Sequence, residues 1–314
     1  MKTLDLVAFG EVALDILLVG VDRVPRRWSV LGRTKAARAL TAGAAGYVAQ
    51  CFTRLGGRAS IAGKIGNDAV GRFILDGFRQ YGVSTKQLLI EKDSHTEIST
   101  VIVYDSGNKS SVVSDILPLR LEEFDRESLM NGRAFHFAGY LLYPGLWGRS
   151  MIPLFKLAKR EGQIVSVDPQ MSLTGDWSTP FQGILGHLDL LLLDEEEAKR
   201  VSRKQRVVDA IENLLKEGPK IVAVKAGRRG CVVGEGDRIR AIRPYRTNPI
   251  STIGAGDAFD AAFIYGFLED WALEKTARFA NVAAAISTTE YGCATAIPRA
   301  KIVEGISERY YCRN

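Results

Sequence analysis

Short runs of Val, Ile and Leu alternate with longer stretches of helical period along most of this chain, and that alternation narrows the possible folds more than any other feature. Leu4 to Gly10 reads as a first strand, and Gly43 to Leu55 as a helix stopped by Gly56-Gly57. Arg58 to Ala62 reads as another short strand, and Ala69 to Tyr81 as a helix closed by Gly82. Further on, Ala134 to Ala138, Ile164 to Asp168, Leu188 to Leu193 and Ile221 to Lys225 read as strands, with helices over Ser150 to Glu161 and Arg203 to Glu217. Strands that are apolar throughout, separated by helices, belong in a parallel sheet covered on both faces. The expected class is therefore α/β, with a central, mostly parallel sheet.

Two stretches break the alternation, residues 12–40 and 96–114. In the second, Thr100 to Tyr104 and Lys109 to Val113 flank Asp105-Ser106-Gly107-Asn108, four turn formers, so a hairpin is expected. Two extended insertions can meet as a small sheet over a site. No repeat, low-complexity tract or Pro/Gly-rich linker divides the chain, so residues 1–314 are expected to form one domain carrying this attachment.

Charge and cysteine usage remove several classes. The excess of 42 Lys and Arg over 36 Asp and Glu is scattered, whereas a nucleic-acid binder gathers its basic residues into a stripe. A mild positive balance suits an anionic small molecule and equally an ordinary soluble surface. No run approaches the ~20 apolar residues that span a bilayer. Asp5, Glu11 and Asp15 interrupt the apolar start, which argues against a signal peptide. Cys51, Cys231, Cys293 and Cys312 form no C-x-x-C pair and read as reduced thiols, so a cytoplasmic protein is expected. His95, His136 and His187 lack metal-ligand spacing.

The stretch richest in chemistry is Ser251-Thr252-Ile253-Gly254-Ala255-Gly256-Asp257-Ala258-Phe259. After Asp257 the residues are apolar almost all round, which marks a buried helix. Its N-terminus aims free N–H groups and the positive dipole end at an interior site, and glycines let a phosphate approach the backbone. A carboxylate beside such an anion hole would repel phosphate unless it takes a proton from an attacking hydroxyl. The same aspartate could instead simply cap the helix.

Gly254-Ala255-Gly256-Asp257 followed by Ala258-Phe259 resembles the signature of the ribokinase-like carbohydrate kinases, the PfkB family. Other segments resemble that family's motifs in the same order: Gly10-Glu11 with Asp15, Ala42 to Gly46, Gly63 to Asp68 with Gly71, Asp194 to Ala198, Val224 to Gly230, and Asn281 with Gly292. The resemblance spans nearly the whole chain. It implies a three-layer sandwich whose insertions at 12–40 and 96–114 form a β lid, and ATP-dependent phosphorylation of a hydroxyl on a sugar or sugar-like acceptor. It further implies that Gly254, Ala255 and Gly256 supply the anion hole and Asp257 the general base. Asp15, Gly43 and Tyr47 would meet the acceptor; Lys225, Gly227, Gly230, Asn281 and Gly292 would meet ATP. Glu197 and Asp194 would lie near Mg²⁺. A surface lysine at a strand end is the other reading of Lys225. Lids of this family often pair into homodimers.

The chain departs from the family at four places. Ser251 stands where an aspartate helps hold a monovalent cation, which argues against potassium activation. Tyr47 and Gln170 stand where asparagine is frequent, and Asp194 replaces another asparagine. Tyr47 either reshapes the pocket toward a nucleoside, a polyol or a less common sugar, or merely packs in its helix. A nucleoside kinase of the same fold, and a non-catalytic sensor retaining it, are the competing readings. A dinucleotide oxidoreductase is disfavoured, because Gly10-Glu11-Val12-Ala13 is no G-x-G-x-x-G turn.

Overall fold

The computed structural model describes residues 2–24, 28, 30–104 and 109–312. The turn expected at 105–108 and positions 25–27 and 29 of the first insertion lie outside the described residues. The strands are β1 (Leu4–Gly10), β2 (Ala13–Val21), β3 (Ala36–Ala42), β4 (Ala59–Gly66), β5 (Ser84–Glu91), β6 (Ile98–Tyr104), β7 (Lys109–Val113), β8 (Gly132–Ala138), β9 (Ile164–Asp168), β10 (Leu190–Asp194), β11 (Ile221–Lys225), β12 (Cys231–Glu235) and β13 (Arg238–Ile242). The helices are α1 (Ala44–Leu55), α2 (Ala69–Tyr81), α3 (Arg126–Leu129), α4 (Ile152–Arg160), α5 (Glu195–Ser202), α6 (Val207–Lys216), α7 (Ala255–Leu268), α8 (Leu273–Ser287) and α9 (Ala300–Cys312).

Nine of these strands form one sheet in the order β13-β12-β11-β10-β9-β8-β1-β4-β5. It is parallel from β11 to β5, and at the other edge β12 runs antiparallel to both β11 and β13. Successive side chains of a strand point to opposite faces, and the apolar runs feed two cores accordingly. Leu6 and Ala8 of β1, with Leu190 and Leu192 of β10, pack under α1, α7 and α8. Their neighbours Val7, Phe9, Leu191 and Leu193 pack on the other side with α4 and α6. The result is the three-layer α/β sandwich anticipated from the alternation.

The two insertions supply β2, β3, β6 and β7, which form a separate sheet in the order β3-β2-β6-β7. β2 is its pivot, antiparallel to β3 and parallel to β6, so that Asp15 pairs with Leu40 on one side and Ser99 on the other. β3 and β7 are its edges.

Most expected boundaries shift by two residues or fewer, and two move by about four. The helix expected over 203–217 starts only at Val207, because α5 ends at Arg203, which adopts a left-handed φ of 57°. The strand expected over 58–62 continues to Gly66. It does so because Gly63 has no Cβ; one there would stand 2.7 Å from Val12 and 2.8 Å from the Gly10 carbonyl.

Candidate active site

α7 begins where the chain needs a glycine. Gly254 is its N-cap with φ 73°, and Asp257 is the third residue of the helix, so it is not the cap. Gly256 and Asp257 fall in the first turn, where N–H groups have no intrahelical partner. The body of the helix is packed between α1 and α8, with Ala258, Ala261, Ala262, Phe263 and Ile264 inaccessible. That burial fixes the direction in which the first turn points.

Two cavities meet at this turn. One, of about 820 Å³, is lined by Gly227, Gly230, Phe259 and Asn281; the other, of about 620 Å³, by Asp168, Asp194, Glu197 and Asp257. Lys225, Gly227 and Gly256 line both. Asp257 is half-buried, yet the protein around it excludes enough water to push its carboxyl well above the usual carboxylate range, and Asp168 adds repulsion. Asn281 is buried and its amide also donates to the Arg243 carbonyl at 3.2 Å. Gly292 turns with φ 91° against Leu40 of β3, so it touches the small sheet.

Asp194 and Glu197 are partners in a capping box at the start of α5. Asp194 accepts from the Glu197 amide at 2.8 Å, and Glu197 accepts from the Asp194 amide at 2.6 Å. Burial first, and then Asp168, raise the Glu197 carboxyl to about 8. Ser251 is buried, and its hydroxyl accepts from the Ile253 amide at 3.4 Å.

On the far side of α7 the residues expected to meet the acceptor gather at the start of α1. Gly43 caps this helix with φ 85°, and a Cβ there would stand 2.5 Å from the Glu11 carbonyl. Glu11 accepts from the Ala44 amide at 2.8 Å. One turn on, Tyr47 is buried and donates its hydroxyl to Asp15 Oδ2 at 2.6 Å. Burial raises the Asp15 carboxyl to about 6 against this hydrogen bond. The Tyr47 ring also reaches 3.2 Å from where a Gly254 Cβ would stand. Tyr47 thus joins Asp15 of the small sheet to the turn that opens α7.

Several neighbours of the expected residues were not singled out from the sequence. Lys225 is no surface lysine: it pairs with Asp168 at 2.5 Å and with Asp260 at 3.0 Å. Asp260 is wholly inaccessible, and its only sequence signal was a carboxylate inside an apolar helix. Glu97, 3% exposed, lies beside Glu11, and burial followed by Glu11 raises its carboxyl to about 10. Cys293 donates its thiol to the Gly254 carbonyl at 2.7 Å and lies 3.1 Å from Cys51.

The pfkB family carbohydrate kinase model matches residues 4–300. The chain belongs to the pfkB family of carbohydrate kinases. A sugar kinase from Archaeoglobus fulgidus, described as uncharacterized, is 30% identical over 251 residues, covering 79% of this chain and 98% of that protein. Arabidopsis thaliana ribokinase complexed with ribose and ATP superposes with a TM-score of 0.82 at 23% identity, covering 97% of this chain and 99% of that one. An E. coli chain titled as a ribokinase II in complex with ATP and Mg²⁺ gives 0.79 at 20% identity, covering 97% and 99%. The fold of this carbohydrate kinase is therefore ribokinase-like, with a large, mostly parallel sheet and a smaller separate one. Its class is that of an ATP-dependent carbohydrate kinase. Among the described residues of this kinase, no helix is long and apolar enough to cross a membrane.

Proposed function

We propose that this kinase transfers the γ-phosphoryl group of ATP in line to a hydroxyl of a neutral sugar or sugar-like acceptor, with Asp257 as general base. The observation that carries the reading is the junction itself: the open first turn of α7, with its carboxylate, stands where the two cavities meet. ATP would occupy the larger cavity, against Gly227, Gly230 and Asn281. Its γ-phosphate would reach the amides of Gly254 to Asp257, whose N–H groups and dipole stabilise the charge of the transferring group. Asp257, so placed, takes the proton of the attacking hydroxyl.

The acceptor would lie between α1 and the small sheet, held by Asp15 and the backbone at Gly43, with Tyr47 orienting Asp15 through its hydroxyl. The small sheet would act as the lid, because Asp15 and Leu40 belong to it and reach the core from it. Glu197 and Asp194 suit Mg²⁺, a hard cation that takes oxygen ligands from one or two carboxylates together with phosphates. The raised Glu197 carboxyl is a group that a nearby cation would re-ionise. Mg²⁺, when bound, neutralises charge on the phosphates. Nothing about Ser251, whose hydroxyl serves its own turn, supports a monovalent cation.

A coupled ADP-release assay over sugars, polyols and nucleosides tests the proposal and separates sugar from nucleoside acceptors. Asp257→Asn should lower kcat by ~10²-fold or more while ATP binds nearly as before. Turnover close to wild type in that variant would remove the assigned role.

A further inference from the structure

Lys225 ends β11 at the boundary of both cavities, and its ammonium is held in an unusual way. An ammonium carries three hydrogens. Asp168 Oδ2 takes one at 2.5 Å, and the two oxygens of Asp260 share another at 3.0 and 3.1 Å. Two oxygens of one carboxylate are too close together to take separate tetrahedral hydrogens, so with Asp168 and Asp260 as its partners the ammonium has a third hydrogen directed elsewhere. The nitrogen stands 3.6 Å from the point that a Cβ on Gly256 would occupy. Glycine leaves that space empty, so the ammonium faces the first turn of α7 directly.

Stability alone is a poor reason for this arrangement. Burying two carboxylates and an ammonium costs several kcal/mol per ion in desolvation, and apolar residues of the same volume often do as well. Asp260 is 0% exposed and interrupts a helix that is otherwise apolar at this depth. It sits one turn after Asp257 on α7, while Asp168 ends β9, so two separate layers grip the same nitrogen. Such a grip removes the freedom of a lysine head to rotate. The same ammonium also offsets, at Asp257, part of the repulsion from Asp168.

We propose that Lys225 donates its third hydrogen to the phosphoryl group in transit, and that Asp260 and Asp168 are positioning residues that fix the ammonium for that contact. The proposal rests on the function given above and adds to it a donor whose direction is set before the nucleotide arrives. A donor fixed in advance acts on the charge of the transition state more than on ground-state ATP, because no reorganisation is needed when that charge develops.

The test compares ADP with ADP–Mg²⁺–aluminium fluoride, which mimics the group in flight, by titration calorimetry, alongside steady-state kinetics. Lys225→Met should weaken the mimic by ~10²-fold, the scale for losing one oxyanion donor, while ADP affinity changes less than about threefold, and kcat should fall in parallel with the mimic. Asp260→Asn, which keeps the shape and removes the charge, should lower kcat by about tenfold and leave the KM for ATP nearly unchanged. Combined with Lys225→Met it should add nothing, since both act through one nitrogen. Equal weakening of ADP and mimic would overturn the proposal, as would an Asp260→Asn effect of the same size with and without Lys225. If Asp260→Asn does not fold, the mimic-to-ADP ratio in Lys225→Met decides alone. Failure of the wild-type protein to phosphorylate any acceptor would refute the proposed function, whereas the calorimetric comparison needs no acceptor and still judges Lys225.

Discussion

Replacing Gly254 by alanine tests the turn proposed as the anion hole without touching a charged group. The residue adopts φ 73°, a conformation that costs a side-chain-bearing residue about 1–2 kcal/mol. The new Cβ would stand 2.5 Å from Cys293 Cβ and 2.8 Å from its sulfur, far inside van der Waals contact. The first of these atoms is bonded to the backbone and cannot swing away, so the turn or the 293 loop must shift. Overpacking of this kind costs ~1–3 kcal/mol, which brings the total to about 2–5 kcal/mol. A shift of about 1 Å in groups that stabilise a transition state reduces turnover by ~10²-fold. Gly254→Ala should therefore lower kcat by one to two orders of magnitude, with a fall in Tm of several degrees, about 2–4 °C per kcal/mol. Adding Cys293→Gly removes both contacts with Cys293 and should restore part of kcat, leaving the backbone cost, the contact with Tyr47 and the loss of the thiol hydrogen bond. ADP-release kinetics and calorimetry on the single and double variants make the measurement. Wild-type kcat and Tm in Gly254→Ala would refute the claim that this turn is tightly packed against Cys293 and sets the catalytic geometry.

Tyr47→Phe removes the hydroxyl that donates to Asp15 at 2.6 Å. A hydrogen bond to a charged group contributes about 1.5–3 kcal/mol, so the acceptor KM should rise roughly tenfold or more while the KM for ATP holds; an unchanged acceptor KM would show that Asp15 is positioned without it. Glu97 concerns stability instead. Its carboxyl is raised from 4.5 to about 10, so the folded state keeps a proton that the unfolded chain releases. The stabilisation is complete below 4.5 and is lost progressively as pH rises toward 10. One proton linked across three pH units is worth up to about 4 kcal/mol, so Glu97→Gln should lessen the fall in Tm between pH 6 and pH 9 by several degrees or more; parallel melting curves for both proteins would contradict it.

What could be read from the sequence was local. The apolar runs marked β1, β9 and β11 at their observed bounds, because a strand buried on both faces has no polar position to hide. α2 was bounded on both sides, since Asp68 accepts from the Gly71 amide and Gly82 closes the helix in a left-handed turn. The first turn of α7 was legible for the same reason: glycines, a carboxylate and an apolar helix body are neighbours in sequence as well as in space. The later start of the expected 203–217 helix was not legible, because the left-handed Arg203 that closes α5 competes with a strong helical period. At the site, Asp15 and Tyr47 could be named, but not that one holds the other across 32 positions.

The amino-acid order alone determined that a buried helix follows Gly254-Ala255-Gly256-Asp257 and that its start sets free amides beside a carboxylate, since a helix end depends on residues within one turn of it; that Gly254, not Asp257, is the cap came from the structure. Only the tertiary structure decided that Lys225 is gripped by Asp168 and Asp260, that Glu97 is buried beside Glu11, and that Cys293 closes on Gly254. Those facts depend on which strands and helices lie side by side. Burial, which sets the charge state of each group, belongs to the packed layers and to no short stretch of chain.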